Sequence, residues 1–345
     1  MTSFLSLICT VSLFSPPILS LQKFASKEYS NVSNLLNSNI QHVITAKSSR
    51  ETMEFVVVGD PSNEADTYTG YGNVDLTYEI GKYDVTANEY CEFLNAVAAD
   101  DPHGLYNEQM ALDQNIACIQ RHGSPGNYSY SIIDDNENRG QFPITYVNWY
   151  SAARFCNWMQ NGCPSGHQDL TTTEAGTYFF SDDANDVLWA NHQAIYSLPT
   201  EDQWYKAAYY NSHRVDSPLY WLYPTKSNFP PGNTMGTLHN EANYRYGFWY
   251  YSFAKKKPPY LTPVGAFSGS PGPYGTYDMG GNVFQWTCTQ KNPNNSSSSF
   301  ITRGGSWLAE SGLSLFRDPL QTTSRSSFDP ATSNNQIGFR LVRNF

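Results

Sequence analysis

Charge is what this 345-residue chain has least of. Asp, Glu, Lys and Arg together make up 15% of it, against about a quarter in an ordinary soluble domain. The 21 basic residues are outnumbered by 31 acidic ones, giving a net charge of −10. Nothing forms a basic stripe, which excludes the electrostatic footprint of a nucleic-acid binder. The one basic run, Lys255-Lys256-Lys257 before Pro258-Pro259, reads as a solvated loop. No hydrophobic run reaches the length of a transmembrane helix. Cysteine usage is uninformative: Cys9, Cys91, Cys118, Cys156, Cys163 and Cys288 include no CxxC pair. The G-x-S-x-G elbow and the phosphate-binding GxxxxGK[ST] loop are also missing. No two of the seven histidines lie three to five residues apart, and isolated loop histidines are commonly structural. Asp100-Asp101, Asp134-Asp135 and Asp182-Asp183 sit in polar loops and read as solvated surface.

What the chain has in quantity is aromatic side chains. With 25 Tyr, 19 Phe and 8 Trp, much of its burial must be aromatic. Phe4 to Phe14 is an apolar run of signal-peptide length, although no Lys or Arg precedes it and no A-x-A site follows. Residues 1–22 are therefore read as a signal for export to a secreted or periplasmic location, with a buried N-terminal segment as the alternative. Without that signal the chain would be cytoplasmic. Residues 23–53 are polar and Ser/Asn-rich, a leader or linker. Removing the signal leaves five cysteines, which cannot all pair internally; a Cys118–Cys163 bridge is conceivable.

The globular part runs from 54 to 345. Phe55–Val58 and Leu76–Ile80 read as strands, each ended by glycine. Thr86-Ala87-Asn88-Glu89 is a capping box, and Tyr90, Phe93, Leu94 and Val97 then share one helical face. Residues 100–140 look loop-like. A second helix carries Ala152, Phe155, Cys156 and Met159 on its buried stripe and ends before Gly162. A third opens at Thr200, with Gln203 as its capping partner and acidic residues in its first turn. Residues 210–272 are turn-rich, and Arg303–Leu308 and Ile337–Val342 are strand candidates. Few helices, short strands and long ordered loops make an α+β fold. The densest stretch is Pro273 to Trp286, where Asp278, the adjacent glycines Gly280 and Gly281, and Asn282 precede Phe284 and Trp286. Such a run is a core hinge, a ligand cradle, or both.

Six short segments occur in a telling order: Tyr78–Thr86, Val147-Asn148-Trp149-Tyr150, Leu198–Trp204, Gly281-Asn282-Val283-Phe284-Gln285-Trp286, Arg303-Gly304-Gly305-Ser306-Trp307 and Gly338-Phe339-Arg340. Together they resemble the formylglycine-generating-enzyme, or sulfatase-modifying-factor, family, whose lectin-fold domain also occurs in ergothioneine-pathway iron sulfoxide synthases. The resemblance implies a single duplicated C-type-lectin-like domain. It also implies a copper-binding cysteine pair after the GGSW motif, and those two positions fall on Ala309 and Ser314. Neither side chain can replace a thiolate as soft ligand and reductant, and no cysteine follows Cys288. The iron branch's histidine run is missing, so neither iron nor copper has recognisable ligands. His239-Asn240-Glu241, just ahead of Asn243, is the most suggestive histidine.

The family's structural calcium supplies the remaining expectation, since hard oxygen donors suit that ion. Carried over, one site uses Asp278, the carbonyls of Gly281 and Val283, and Gln285, where the family's acid has become an amide. A second begins at Asn243 and the carbonyl of Tyr244, and its downstream acid falls in the basic Lys255–Pro259 stretch. Asp278 and Asn282 equally suit backbone bonding in a tight loop. Two functions stay open. One is a non-catalytic recognition module for a protein or carbohydrate ligand, grooved by the aromatic loops Tyr244–Phe253 and Tyr220–Tyr223. The other is a metal-dependent, O2-using oxidoreductase of the same family with an unrecognised site. Formylglycine generation itself is not expected.

Overall fold

Local sequence signals decide where the helices begin. A computed structural model describes residues 53–181, 187–212, 219–246, 252–294, 299–311 and 318–345. The signal expected at 1–22, and the leader expected at 23–53 up to its last residue, lie outside the described residues. Helix α1 (Ala87–Val97) starts at the capping box: the Thr86 N–H donates to Glu89 Oε2 at 2.7 Å, and the Glu89 N–H donates to Thr86 Oγ1 at 3.3 Å. Its expected stripe of Tyr90, Phe93, Leu94 and Val97 is buried. A short helix α2 (Gln109–Leu112) and the hairpin β3 (Ile119–His122) with β4 (Ser129–Ile132) give regular structure to a region expected to be loop. Its alternation is masked by polar, exposed positions on the outer face of the hairpin.

Helix α3 (Trp149–Gln160) is capped by Asn148, whose side chain accepts the Ser151 N–H. More than one stripe is buried: Arg154, Asn157 and Trp158 are inside as well. The polar members are tolerated because each is paired. Arg154 Nε and Nη2 meet the two Glu174 oxygens at 2.7 Å each, and Asn157 Nδ2 donates to the carbonyls of Thr173 and Tyr178. Helix α4 (Glu201–Tyr209) carries the second capping box, Thr200 with Gln203.

Two four-stranded sheets hold these helices. In the first, β1 (Phe55–Val58), β2 (Tyr78–Gly81), β14 (Val342–Arg343) and β7 (Tyr196–Ser197) are antiparallel neighbours in that order, so the chain's last strand is clamped between two early ones. In the second, β12 (Ser326–Phe328), β10 (Phe300–Arg303), β9 (Phe284–Gln290) and β13 (Ile337–Gly338) lie in that order, with β13 parallel to β9. The strand expected at Arg303–Leu308 therefore ends where it was expected to begin. Gly304 and Gly305 take φ of 99° and 72°, which breaks the ladder and turns the GGSW segment inward. Likewise Ile337–Val342 is two short strands, because Phe339, Arg340 and Leu341 leave the ladder to enter the core. The hairpin of β5 (Tyr178–Phe180) with β6 (Val187–Ala190), and the parallel pair of β8 (Arg245–Tyr246) with β11 (Glu310–Ser311), complete the described strands.

The largest hydrophobic cluster surrounds α1 and α3 and includes Trp149, Phe155, Trp286 and Phe339. A second packs α4 against the first sheet through Trp204, Tyr205, Ile80 and Val342. Cys91 and Cys156 are buried as expected, and no disulfide joins Cys118 to Cys163, so the conceivable bridge between them is not formed. In the basic run Lys256 and Lys257 are exposed, as a solvated loop requires, and Lys255 differs. Lys255 is largely buried, its Nζ 2.7 Å from Glu137 and above the Phe142 ring, which hides an ion pair between residues far apart in sequence. Asp101, expected on the surface, instead closes its loop by accepting the N–H groups of Leu105 and Tyr106.

Candidate functional site

Asp278 to Trp286 is the stretch where the expected site residues meet. Asp278 and Asn282 both take left-handed backbone, with φ of 56° and 59°, as Asn and Asp tolerate in tight loops. Asn282 ties three segments together. Its N–H donates to the Asn243 carbonyl at 2.7 Å, its Oδ1 accepts from Asn243 Nδ2 at 2.9 Å, and its Nδ2 donates to the Thr262 carbonyl at 3.1 Å. Gly281, at φ 81°, packs so closely that a Cβ there would overlap the Asn243 carbonyl oxygen.

Gln285 points from β9 into a buried polar knot. Its Oε1 accepts from Trp204 Nε1 at 2.5 Å and from Arg340 Nε at 2.7 Å, and its Nε2 donates to the Asp278 carbonyl at 2.8 Å. Arg340 is fully buried and donates as well to the carbonyls of Gly81 and Tyr277 at 2.8 Å, and to Asp84 Oδ1 at 2.9 Å. Asp278 Oδ2 accepts the Gly265 N–H at 2.7 Å. Burial raises the Asp278 carboxyl to about 6, against the opposing pull of that N–H and of Arg340. Burial also raises Asp84 to about 8; Arg340 opposes the shift and Asp278 adds to it.

The calcium expectation divides at this point. Gln285 Oε1 already accepts two N–H groups, so it has no lone pair left for a cation, and the Arg340 guanidinium supplies the positive charge there. The Asp278–Gln285 grouping, with the carbonyls of Gly281 and Val283, does not fit a divalent ion. Around Asn243 the fit is better: Asn243 Oδ1 and Thr262 Oγ1 are each buried oxygens without hydrogen-bond partners, and neutral oxygens of this kind are donors that calcium takes. Tyr244 beside it is anchored by its hydroxyl, which donates to the Pro231 carbonyl. Among the described residues no group of three or more His, Cys, Asp or Glu side chains is placed to hold a metal ion. His239, exposed, bonds the Gly269 carbonyl through Nδ1 at 2.7 Å.

Ala309 follows the GGSW turn, and its carbonyl accepts the Arg245 N–H at 3.0 Å; Ser314 lies outside the described residues. Trp307, two residues before Ala309, sits in an aromatic cluster. Trp307 stacks on Tyr260 with ring centroids 5.5 Å apart, and Phe253 lies 4.5 Å from Tyr260. Tyr260 and Phe253 are half-buried, and the cluster rests on Ile116, Phe142, Leu261 and Val283. The aromatic loop expected at Tyr220–Tyr223 is different: Tyr220 and Tyr223 are buried anchors, and Tyr220 donates to the carbonyls of Glu64 and Gly72. In the Tyr244–Phe253 loop, residues 247–251 lie outside the described residues. Burial disfavours the thiolate form at three of the described cysteines. Burial pushes Cys91 up to about 11 and Cys118 and Cys288 up to about 12, so none of these is a thiolate at neutral pH.

Fold and site together describe an α+β scaffold of short strands and long anchored loops, closed around a GGSW turn. The sulfatase-modifying factor enzyme 1-like domain matches residues 44–345, and the chain belongs to that family, whose domain has the duplicated lectin-like fold. Two curated relatives carry the name inactive Cα-formylglycine-generating enzyme 2. The one from Bos taurus is 23% identical over 207 residues, 59% of this chain and 50% of the relative. The one from Mus musculus is 25% identical over 202 residues, 57% and 58% respectively. The chain thus spans little more than half the length of these relatives. Among solved structures, CarF is 20% identical with a TM-score of 0.48, over 85% of this chain and 98% of that one. No helix among the described residues is long and apolar enough to cross a membrane.

Proposed function

We propose that this domain is a non-catalytic recognition module, a sulfatase-modifying-factor scaffold that has exchanged its copper site for an aromatic binding face. The observation that carries the reading is Ala309 two residues past Trp307, whose own ring stacks with the half-buried Tyr260 and lies 5.9 Å from the half-buried Phe253. A methyl group supplies neither the thiolate nor the electrons that copper-dependent cysteine oxidation requires. Flat, rigid rings with part of their surface in solvent suit a carbohydrate or protein ligand, because they bury area at little entropic cost. The relatives whose names mark them as inactive agree with this assignment.

A structural calcium ion, in this reading, belongs with Asn243 and Thr262 rather than with Gln285. Export belongs to the same reading and rests on the apolar run from Phe4 to Phe14. N-terminal sequencing of protein recovered from the exported fraction tests it: a chain still starting at Met1 speaks against a cleaved signal.

The central test uses the full chain with a synthetic peptide carrying a sulfatase-type cysteine, Cu(I), oxygen and a thiol reductant that supplies the two further electrons O2 reduction needs. Aldehyde is read by hydrazide capture, and copper retention by competition with bathocuproine. No aldehyde and no retained copper are expected. Stoichiometric copper with aldehyde formation would overturn the reading and make the protein an oxidoreductase. On a glycan and peptide array, binding should be lost in Tyr260→Ala; unchanged binding would move recognition away from this face.

A further inference from the structure

A pocket of about 430 Å³ opens between the start of α1 and the first sheet. Four carboxylates line it and no basic residue does, yet each acid already has a partner. Lys82 Nζ is 2.7 Å from Glu54, and Arg340 Nη2 is 2.9 Å from Asp84 Oδ1. Glu89 Oε2 takes the Thr86 N–H and hydroxyl at 2.7 and 2.8 Å, at a helix start that favours an acid. Glu92 is engaged as well. A cation therefore finds no unspent charge here, and an anion would meet a wall of acids.

What the pocket has to spare is neutral hydrogen-bonding capacity. Asn88, in the first turn of α1, and Gln141 are exposed and bring side-chain amides to the wall. Among the described residues neither amide is hydrogen-bonded. The Asn88 amide lies against Gly140, where a Cβ would overlap it. Asp84 adds a third group. It is 1% exposed, and its Oδ2 has no hydrogen-bond partner, a costly state for a buried oxygen.

We propose that this pocket binds a neutral, hydroxyl-rich ligand, a single sugar ring. A side-chain amide offers donors and an acceptor side by side, and adjacent ring hydroxyls, each both donor and acceptor, match that pattern. A hydroxyl also suits Asp84 in either protonation state: it donates to a carboxylate and accepts from a carboxylic acid. Met53, Val264 and Tyr83 supply apolar contact for the C–H faces of a ring, and the volume is that of a small organic ligand. None of the lining residues belongs to the aromatic cluster of Trp307, Tyr260 and Phe253. The inference thus goes beyond the proposed binding face and stands if that reading fails. The same ring arrives as a free sugar or as the end of a glycan, and a free anomeric hydroxyl tells the two apart.

Saturation-transfer NMR of the full chain with D-glucose, D-galactose and D-mannose, and with their methyl glycosides, tests this. Spermidine and glucose 6-phosphate are the charged controls. Transfer to at least one neutral sugar is expected, and neither control should match it. A site for the end of a glycan takes the methyl glycoside as well as its parent, whereas a site for a free sugar rejects it. Asn88→Ala and Gln141→Ala alter exposed side chains and should leave thermal melting unchanged. Each should weaken sugar binding about tenfold, the scale of two lost hydrogen bonds. Gly140→Ala should displace the Asn88 amide and weaken binding in the same direction. No transfer to any of the sugars, equal binding of a charged control, or wild-type affinity in both Asn88→Ala and Gln141→Ala would overturn the proposal. So would a loss of binding confined to Tyr260→Ala, which would put the sugar on the aromatic face instead.

Discussion

Gln285 and Arg340, 55 residues apart in sequence, share a buried hydrogen bond of 2.7 Å from Arg340 Nε to Gln285 Oε1. The same oxygen takes the Trp204 indole N–H, so one amide joins the second sheet to α4 and to the C-terminal segment. Replacing it with a side chain of similar size and no polar atoms would leave two buried donors without partners. Gln285→Leu should therefore lower stability by about 3 kcal/mol, the scale of unsatisfied buried groups next to a charge. Urea denaturation followed by tryptophan fluorescence measures it. A shift below about 1 kcal/mol would mean that Arg340 and Trp204 find other acceptors.

Asp84 accepts from Nη2 of the same guanidinium, and its protonation should show in the stability curve. Its folded value is raised to about 8 and that of Asp278 to about 6, both chiefly by burial, from an ordinary 3.8. A raised carboxyl binds its proton more tightly in the folded state. The stability it contributes is thus complete below about pH 4 and is lost as pH rises through about 6 and then about 8. Asp84→Asn cannot ionise, so its unfolding midpoint should fall less than the wild type's between pH 5 and pH 9. Titrating groups distant from Asp84 cancel in that difference, whereas Asp278, whose charge contributes to the Asp84 shift, moves with it. Parallel curves for the two proteins would place the Asp84 transition elsewhere.

The sequence made local chemistry readable and left distant pairing hidden. Both capping boxes, Thr86 with Glu89 and Thr200 with Gln203, close within three residues, so spacing alone exposes them. The buried faces of α1 and α3 follow from periodicity in the same way. Arg340 was visible only as part of a motif, because its acid, Asp84, lies 256 residues away. Arg303 is similar: its Nε donates to Glu201 Oε1 across 102 residues. Those distances also explain why Gln285 looked like a calcium ligand. Its type and place in the motif were readable, whereas the two donors already on its oxygen were not.

Gly281 tests whether the loop geometry is as tight as described. At φ 81°, with the Asn243 carbonyl where a Cβ would go, alanine would bring both backbone strain and a clash with main chain. Gly281→Ala should lower stability by about 2 kcal/mol or more. Gly275 has a similar φ of 83° but nothing within 4 Å of its Cβ position. Gly275→Ala should therefore cost about 1 kcal/mol, from strain alone. Thermal melts of the pair separate packing from conformational strain, and equal losses would show that the Asn243 contact is not the deciding one.

Asn243 decides the question of the cation. Its Nδ2 is held by the Tyr260 carbonyl and Asn282 Oδ1, at 2.9 Å each, while its own Oδ1 has no partner. A calcium ion accepting Asn243 Oδ1 would bind weakly, because this oxygen set contains no carboxylate to balance the charge. Stabilisation should grow with calcium concentration, reaching about 1.4 kcal/mol at ten times the dissociation constant. In Asn243→Ala the midpoint should be lower without calcium, since the Tyr260 and Asn282 bonds are lost, and should no longer respond to added calcium. Gln285→Leu, by contrast, should keep the wild-type calcium response while losing stability. If calcium stabilises wild type and Asn243→Ala alike but not Gln285→Leu, the ion sits at Gln285 after all, and the Arg340 contact to Gln285 gives way when it binds.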